Sequence, residues 1–283
     1  MLISIDNLNF PYHFEIIESV IIRYDYILKI HKNQNYVICL ENINDEHYIK
    51  YINEKYPNIL INKKKDKFNF KIYTTFYSKL LDKFNQEIKN KKYFFIAHKI
   101  NEKLKKYKNV YFLTKLCNTN NNLKAFYLPF RERKIKSDIP IYIVQGNFTE
   151  LRRNYRLLLK ILEKDYKHDF KIKFIGRGDL PDYLKKYSSK FIIKNDLNFI
   201  DYHKEFLNGY VILPLILKKS HEKYYINKLT SSINYAIGYN LKCLIDQDLQ
   251  KIYNLNNVEI FKDENDIQKI FEKTLNDFYK VEN

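Results

Sequence analysis

The chain predicts an α/β protein built on parallel sheets, and three observations carry that expectation. Short apolar runs alternate with longer stretches whose apolar residues recur at helical spacing, from Leu2 through to Tyr279. All five glycines lie at or beyond Gly146, and three of them, Gly146, Gly176 and Gly178, follow directly on an apolar run. Between the halves, Cys117 to Ser137 is polar and irregular, with five charged residues crowded into Arg131–Lys136. Strands that alternate with helices of this length imply a parallel sheet covered on both faces, whose ligands collect at the carboxyl ends of the strands.

In the first half, Leu2 to Ile5 reads as a strand, followed by a loop through Asn9, Pro11 and His13. A helix is predicted over Phe14–Ile30 from the spacing of Ile16, Ile17, Val20, Ile21, Tyr24, Ile27 and Leu28. Strands are expected at Tyr36–Leu40, Asn58–Asn62, Phe70–Phe76, Tyr93–Ala97 and Val110–Leu113, with helices at Asp45–Lys55, Tyr77–Lys89 and Glu102–Lys106. His13 and His98 each fall in or just after a loop at a strand's carboxyl end, where an imidazole can serve as a general base or place a substrate. No glycine precedes Gly146, which excludes a glycine-rich dinucleotide or P-loop fingerprint from this half.

In the second half, strands are predicted at Ile139–Gln145, Phe170–Ile175, Phe191–Lys194, Tyr210–Leu213, Leu241–Ile245 and Val258–Phe261. Helices are predicted after Thr149, with Arg152, Arg153 and Arg156 on the first turns, near Leu197–Asn208, at Asn227–Tyr239 and at Glu264–Tyr279. The most informative stretch is Pro214–Ile233: a basic loop carrying His221 and Glu222, then a helix whose first turn holds Lys228, Thr230, Ser231 and Ser232. A helix N-terminus offers unpaired backbone N–H groups and partial positive charge. With hydroxyls and a lysine added, it suits a phosphate or diphosphate; a capped amphipathic helix after a polar loop is the plainer alternative.

Composition bounds the partners. The 283 residues carry 50 Lys and Arg against 33 Asp and Glu, a formal net charge of +17. Such a field favours nucleic acid, an anionic membrane surface or phosphorylated small molecules. The charge is dispersed, and runs such as Lys63–Lys65 read as solvated faces. Cys39, Cys117 and Cys243 are far apart and form neither a zinc nor a disulfide pattern. The opening residues read as a strand rather than a signal peptide, and no apolar stretch approaches the ~20 residues that cross a bilayer. A soluble, cytoplasmic protein is expected, at most peripheral to a membrane.

At Gly146-Asn147, Gly176-Arg177-Gly178-Asp179, Tyr202, Leu213-Pro214 and Tyr225-Ile-Asn-Lys-Leu-Thr-Ser-Ser-Ile233 the chain resembles a family. Over about residues 139 to 280 it looks like the nucleotide-sugar-binding domain of GT-B glycosyltransferases, the family 4-like enzymes in particular. The resemblance implies two Rossmann-like domains with parallel sheets facing across a cleft: residues 1–120 on the acceptor side, a linker at 121–138, and the donor domain at 139–283. It implies transfer of a sugar from a UDP-, GDP- or other nucleotide sugar to an acceptor hydroxyl, in the hexosyltransferase class, without a metal or other cofactor.

The expected partners are that donor and a glycan, lipid-linked or protein-linked acceptor, with an anionic membrane surface as a further candidate. Gly146, Asn147, Arg152 and Arg153 would approach the donor phosphates. Lys228, Thr230 and Ser231 would hold the diphosphate at the helix N-terminus, with Leu229 between them in the donor-binding set. Residues around Gly178 to Leu180 and Phe199 to Tyr202 would lie near the base, His221 and Glu222 would face the donor sugar, and Gly176, Arg177 and Tyr225 belong to the same donor-binding set. His98, His13 and His221 are the catalytic candidates. Many retaining members carry two glutamates seven residues apart; here Glu222 is matched by Leu229. Asp246-Gln-Asp248 has a metal-binding pattern of the other major glycosyltransferase fold, but its place after a strand predicts a helix cap. The rival readings are a basic nucleic-acid-binding protein with tyrosines for stacking, a sugar-nucleotide epimerase of the same architecture, and a catalytically dead relative retained as a binding subunit.

Overall fold

The structure, a computed structural model, describes residues 2–10, 13–30, 37–63, 67–113, 116 and 135–281, the side chains of 23–30 excepted. Pro11, Cys117 and most of the expected 121–138 connection lie outside the described residues. The chain divides into two units, Met1–Pro129 with Asn227–Leu229, and Phe130–Ile226 with Thr230–Asn283.

The first unit runs β1 (Leu2–Asp6), α1 (Phe14–Ile30), β2 (Val37–Glu41), α2 (Glu46–Lys55), β3 (Leu60–Ile61), β4 (Phe70–Phe76), β5 (Tyr93–Ala97), α3 (Glu102–Lys105) and β6 (Val110–Phe112). Its strands form one sheet in the order β3-β2-β1-β4-β5-β6, every pairing parallel. β-Branched and aromatic residues such as Ile3, Ile5, Phe76 and Phe95 are buried in these strands, as a sheet covered on both faces requires. Asp45 caps α2 by accepting from the Tyr48 N–H at 2.8 Å, and Tyr48 and Ile52 face inward one turn apart.

Tyr77–Lys89, predicted as a helix, instead forms short 3₁₀ turns at Ser78–Leu80 and Glu87–Lys89. Only Phe84 and Ile88 of its apolar residues are buried, too narrow a stripe to hold a full helix. The Phe84 N–H is shared between the carbonyls of Leu80 at 3.1 Å and Leu81 at 3.2 Å, which marks the change of winding.

The second unit runs β7 (Ile141–Asn147), α4 (Tyr155–Leu162), β8 (Lys171–Arg177), β9 (Phe191–Asn195), α5 (Phe199–Lys204), β10 (Val211–Ile212), α6 (Lys218–His221), α7 (Lys223–Ile226), α8 (Ser231–Tyr239), β11 (Lys242–Asp246), α9 (Gln247–Tyr253), β12 (Val258–Phe261) and α10 (Ile267–Val281). Its sheet order is β12-β11-β10-β7-β8-β9, again all parallel. Tyr155, Leu157, Leu158, Ile161 and Leu162 give α4 a buried face. Tyr142 of β7 packs its ring 4.2 Å from Phe271 of α10 and shares a 2.8 Å hydrogen bond with Thr274.

Two local expectations shift here. Arg152 and Arg153 precede α4 rather than lying on it, because Asn154 accepts from the Arg156 N–H at 3.2 Å and starts the helix there. Lys228 precedes α8, whose N-cap is Thr230. Lys228 instead lies opposite Lys99 in an isolated antiparallel bridge, with the Ile100 N–H donating to the Asn227 carbonyl at 2.9 Å. The basic loop before it is wound into α6 and α7.

In both sheets the chain builds one half outward, then crosses back to start the other beside the first strand. That puts a topological switch point between β1 and β4 and another between β7 and β10. The crevice outside the carboxyl ends of the strands at such a point is where open parallel sheets hold ligands.

Candidate functional site

The β7–β10 switch point is organised by a buried cation. Gln145 is the last buried residue of β7, and Gly146 follows it at φ +113°, a conformation that disfavours any side chain. A Cβ at Gly146 would lie 3.1 Å from Nη2 of Arg153. On the next strand, a Cβ at Gly176 would overlap the Gly146 carbonyl, so the two glycines let β7 and β8 close up at their carboxyl ends. The turn after β7 then brings Arg153 back beneath it. Its Nη2 donates to the Gln145 carbonyl and, at 3.0 Å, to Ser232 Oγ, while Nη1 donates to the Arg152 carbonyl at 2.9 Å.

Arg153 is only 4% exposed, its Nε has no hydrogen-bond partner, and among the described residues no carboxylate forms an ion pair with it. Burial pulls its guanidinium below the ordinary arginine value, opposed by the neighbouring tyrosines Tyr224, Tyr155 and Tyr202. An arginine still holds its proton under such a shift. Burying a cation without a counter-charge costs several kcal/mol after relaxation, so this position has a standing demand for an anion.

Around Arg153 the polar groups are linked. Gln145 Nε2 donates to the Tyr202 hydroxyl at 2.7 Å, and its Oε1 accepts from Ser231 Oγ at 3.1 Å and Ser232 Oγ at 3.3 Å. This ties α5, β7 and the first turn of α8 together. Thr230, the N-cap residue, makes no side-chain cap, and its buried Oγ1 has no partner. Ser231 is exposed, as are Asn147, Arg177 and Gly178 at the ends of β7 and β8. The sheet edge thus collects the open N-terminus of α8, hydroxyls, a buried guanidinium and an exposed one.

Sequence reasoning picked out Gly146, Arg153, Tyr202, Thr230 and Ser231 here, with Ser232 on the same turn, but missed Gln145. A polar residue closing the apolar run Ile141-Tyr-Ile-Val is the signal that would have found Gln145.

Other sequence candidates occupy different places. His221 is buried with both ring nitrogens engaged, Nδ1 with Ser220 Oγ at 2.8 Å and Nε2 with the Glu150 carbonyl at 3.0 Å. It therefore pins α6 to the β7–α4 turn and has no nitrogen left for proton transfer. Burial holds it below the ordinary histidine value. Tyr225 is buried and donates to Asp246, which also caps α9 by accepting from the Leu249 N–H at 2.8 Å. Asp248 pairs with Lys251 at 3.4 Å and Lys218 at 4.0 Å. Glu222 is exposed beyond α6, and Arg152 half-buried. Lys228 and Leu229 group with the first unit. Among the described residues no cluster of three or more His, Cys, Asp or Glu could hold a metal ion, and no helix is long and apolar enough to cross a membrane.

At the β1–β4 switch point of the first sheet sit the two other histidine candidates, His13 and His98. Asp6 accepts from the Leu8 N–H and from Asn42, each at 2.8 Å. Asn7 donates to the Phe10 carbonyl at 2.6 Å and accepts from Thr74 at 2.8 Å. These bonds hold a tight loop in which Leu8, Asn9 and His13 all take positive φ without a glycine. The loop delivers His13 to within 4.1 Å, ring to ring, of His98 at the end of β5. Burial pushes His13 down to about 4, with Glu15 opposing and Lys228 reinforcing. His98 falls well below the ordinary value through burial and then the charge of His13. Both rings are thus neutral near pH 7. His98 Nε2 faces the Thr74 carbonyl at 3.2 Å. A carbonyl only accepts, so Nε2 carries the hydrogen and Nδ1 the lone pair; among the described residues Nδ1 has no partner.

No protein-family model matches the chain, and no curated protein matches it in sequence. Its structure is similar to that of a lipopolysaccharide outer core galactosyltransferase, WaaB, in the apo form. The identity is 10%, with 98% of this chain and 91% of the other covered, at a TM-score of 0.55. It is similar also to AviGT4, a glycosyltransferase involved in avilamycin A biosynthesis, at 8% identity, 98% and 88% coverage and a TM-score of 0.57. With two all-parallel six-stranded units and this likeness over almost its whole length, the chain has the fold of the GT-B glycosyltransferases.

Proposed function

We propose that the protein is a glycosyltransferase that moves a sugar from a nucleotide-diphosphate sugar to an acceptor hydroxyl. The observation that carries this is Arg153: a buried guanidinium without a carboxylate partner, placed at the β7–β10 switch point beside Gly146 and the first turn of α8. A diphosphate supplies the missing negative charge. Glycosyl transfer leaves that diphosphate more negative as the bond to the sugar breaks, so fixed donors aimed at it favour the transition state over the ground state. Ser231, the N–H groups opening α8 and the glycine backbone at Gly146 are the groups that can approach it. Arg153 sets their positions and supplies the field.

The first unit would supply the acceptor's proton acceptor. His98 Nδ1 carries a lone pair on a neutral ring and is the group of that unit that can take a proton from a hydroxyl. His13 beside it would keep that ring oriented. Held in the indole-free, tyrosine-rich setting of this chain, nothing in the scheme calls on His221, Glu222 or Asp246.

The test is release of nucleoside diphosphate from a panel of UDP-, GDP- and CDP-sugars, with water or methyl glycosides as acceptor. One donor series should turn over, and His98→Gln should lower kcat about 100-fold or more while leaving nucleotide affinity unchanged. No turnover of any donor would contradict the proposal. So would full activity in the variant for the role given to His98.

A further inference from the structure

Gln145 is buried at the end of β7, and three hydroxyls meet its side chain. Ser231 Oγ at 3.1 Å and Ser232 Oγ at 3.3 Å donate to Oε1, and Nε2 donates to the Tyr202 hydroxyl at 2.7 Å. A hydroxyl donates as readily as it accepts, so all three can serve a carboxylate in this place. The charge beside them is positive. Arg153 Nη2 donates to the Gln145 carbonyl and, at 3.0 Å, to Ser232 Oγ, which puts the guanidinium one bridging hydroxyl away from Oε1. A glutamate has the shape of glutamine and would keep these contacts. It would also answer a buried cation that, among the described residues, forms no ion pair with a carboxylate. The surroundings therefore suit a glutamate, yet the chain carries the amide. A residue that stability would choose differently marks a place where function decides.

We infer that Gln145 sets the affinity of this site for a diphosphate, because its neutral amide organises the site while leaving the Arg153 charge uncancelled. This rests on the glycosyltransferase reading and names a residue that decides how tightly the donor is held. Gln145 acts through its neighbours and is a positioning residue. Its amide oxygen fixes the first turn of α8 through Ser231 and Ser232, and its amide nitrogen ties in α5 through Tyr202. A carboxylate would hold the same turn in the same place. Its charge, however, would pair with the guanidinium through Ser232 and oppose the incoming phosphates. Hydrogen bonding and charge are thus separable at this position. Glutamate keeps the bonds and changes the charge, whereas methionine removes the bonds and stays neutral.

Gln145→Glu and Gln145→Met on the full chain test this, by thermal denaturation and by calorimetric titration with UDP, GDP and CDP at neutral pH. Gln145→Glu should melt at or above the wild type. In an Arg153→Met background the same change should lower the melting temperature, because the carboxylate then lies buried without a cation. The nucleoside diphosphate that binds the wild type should bind Gln145→Glu about tenfold or more weakly, and Gln145→Met should lose less than that. The inference is overturned if Gln145→Glu melts below the wild type or fails to fold, or if it binds nucleotide as the wild type does. It is overturned also if Gln145→Met loses as much affinity, since the amide's bonds and not its neutrality would then matter. A wild type that binds none of the three, with both melting results as expected, would overturn the diphosphate reading alone.

Discussion

Arg153 donates to Ser232 Oγ at 3.0 Å, and Ser232 donates in turn to Gln145 Oε1 at 3.3 Å, so a buried guanidinium holds the first turn of α8 against the residue before Gly146. A buried cation in that position has hydrogen bonds to neutral acceptors but, among the described residues, no carboxylate to offset the cost of its burial.

Arg153→Met should therefore separate stability from binding. The unliganded variant should melt below the wild type, because methionine leaves the Gln145 and Arg152 carbonyls and Ser232 Oγ without this donor. A nucleoside diphosphate at 100 times its wild-type Kd, which stabilises a protein by about 2.7 kcal/mol, should leave the variant's melting temperature unmoved. Thermal denaturation with and without nucleotide reads both effects. A strongly destabilised variant that still responds to nucleotide would make Arg153 a purely structural residue.

Gly176→Ala should weaken the fold itself. Its Cβ would overlap the Gly146 carbonyl on the neighbouring strand, backbone against backbone, with no flexible side chain to yield. A loss of about 2 kcal/mol or more is expected from overpacking at such a place, read as a lower urea midpoint with an unchanged slope. Gly178→Ala makes a milder comparison, since the nearest atom to a Cβ there is the Phe148 nitrogen at 3.7 Å.

These two residues also show what the sequence makes legible. Glycines at strand ends could be read directly, because the two parallel sheets announce themselves through alternating apolar runs and a Cβ there would block a close approach. The same reading found Arg153 but put it on a helix exposed to phosphate. It could not foresee that Asn154 would start α4 two residues later and leave Arg153 in a turn folded underneath. Lys228 went astray in the same way. Lys228, Thr230 and Ser231 look like one helical turn, yet Thr230 is the cap, and the backbone before it pairs with Lys99, a partner 129 positions away that local pattern cannot reveal. The His13–His98 contact was half visible: each histidine lay at a strand end, but only the strand order β1-β4-β5 puts them side by side.

Acid should destabilise the first unit through these histidines. Both have folded values below the ordinary 6.5, His13 at about 4. Between those values the unfolded chain binds more protons than the folded one, so stability rises with pH there. It is fully present above about pH 6.5 and is lost as pH falls towards 4. His13→Asn should flatten the dependence of melting temperature on pH in that window. An unchanged slope would mean that His13 titrates normally in the folded protein.

Asp246→Ala should cost about 1 kcal/mol, the loss of a helix N-cap, and somewhat more for the Tyr225 hydroxyl left without its acceptor. If Asp246-Gln-Asp248 acts as a cap and surface pair rather than a metal site, EDTA should not alter nucleotide affinity, and Asp248→Ala should leave it unchanged. A chelator-sensitive affinity restored by Mn²⁺ would sink that assignment.

The most direct measurement is calorimetric titration of the purified chain with UDP, GDP and CDP, with heparin and single-stranded DNA as polyanion controls. Saturable binding of one nucleoside diphosphate at one site per chain, persisting in moderate salt and absent from Arg153→Met, is the predicted result. Binding of the polyanions alone, vanishing as salt is raised, would contradict the account and favour a nucleic-acid-binding protein.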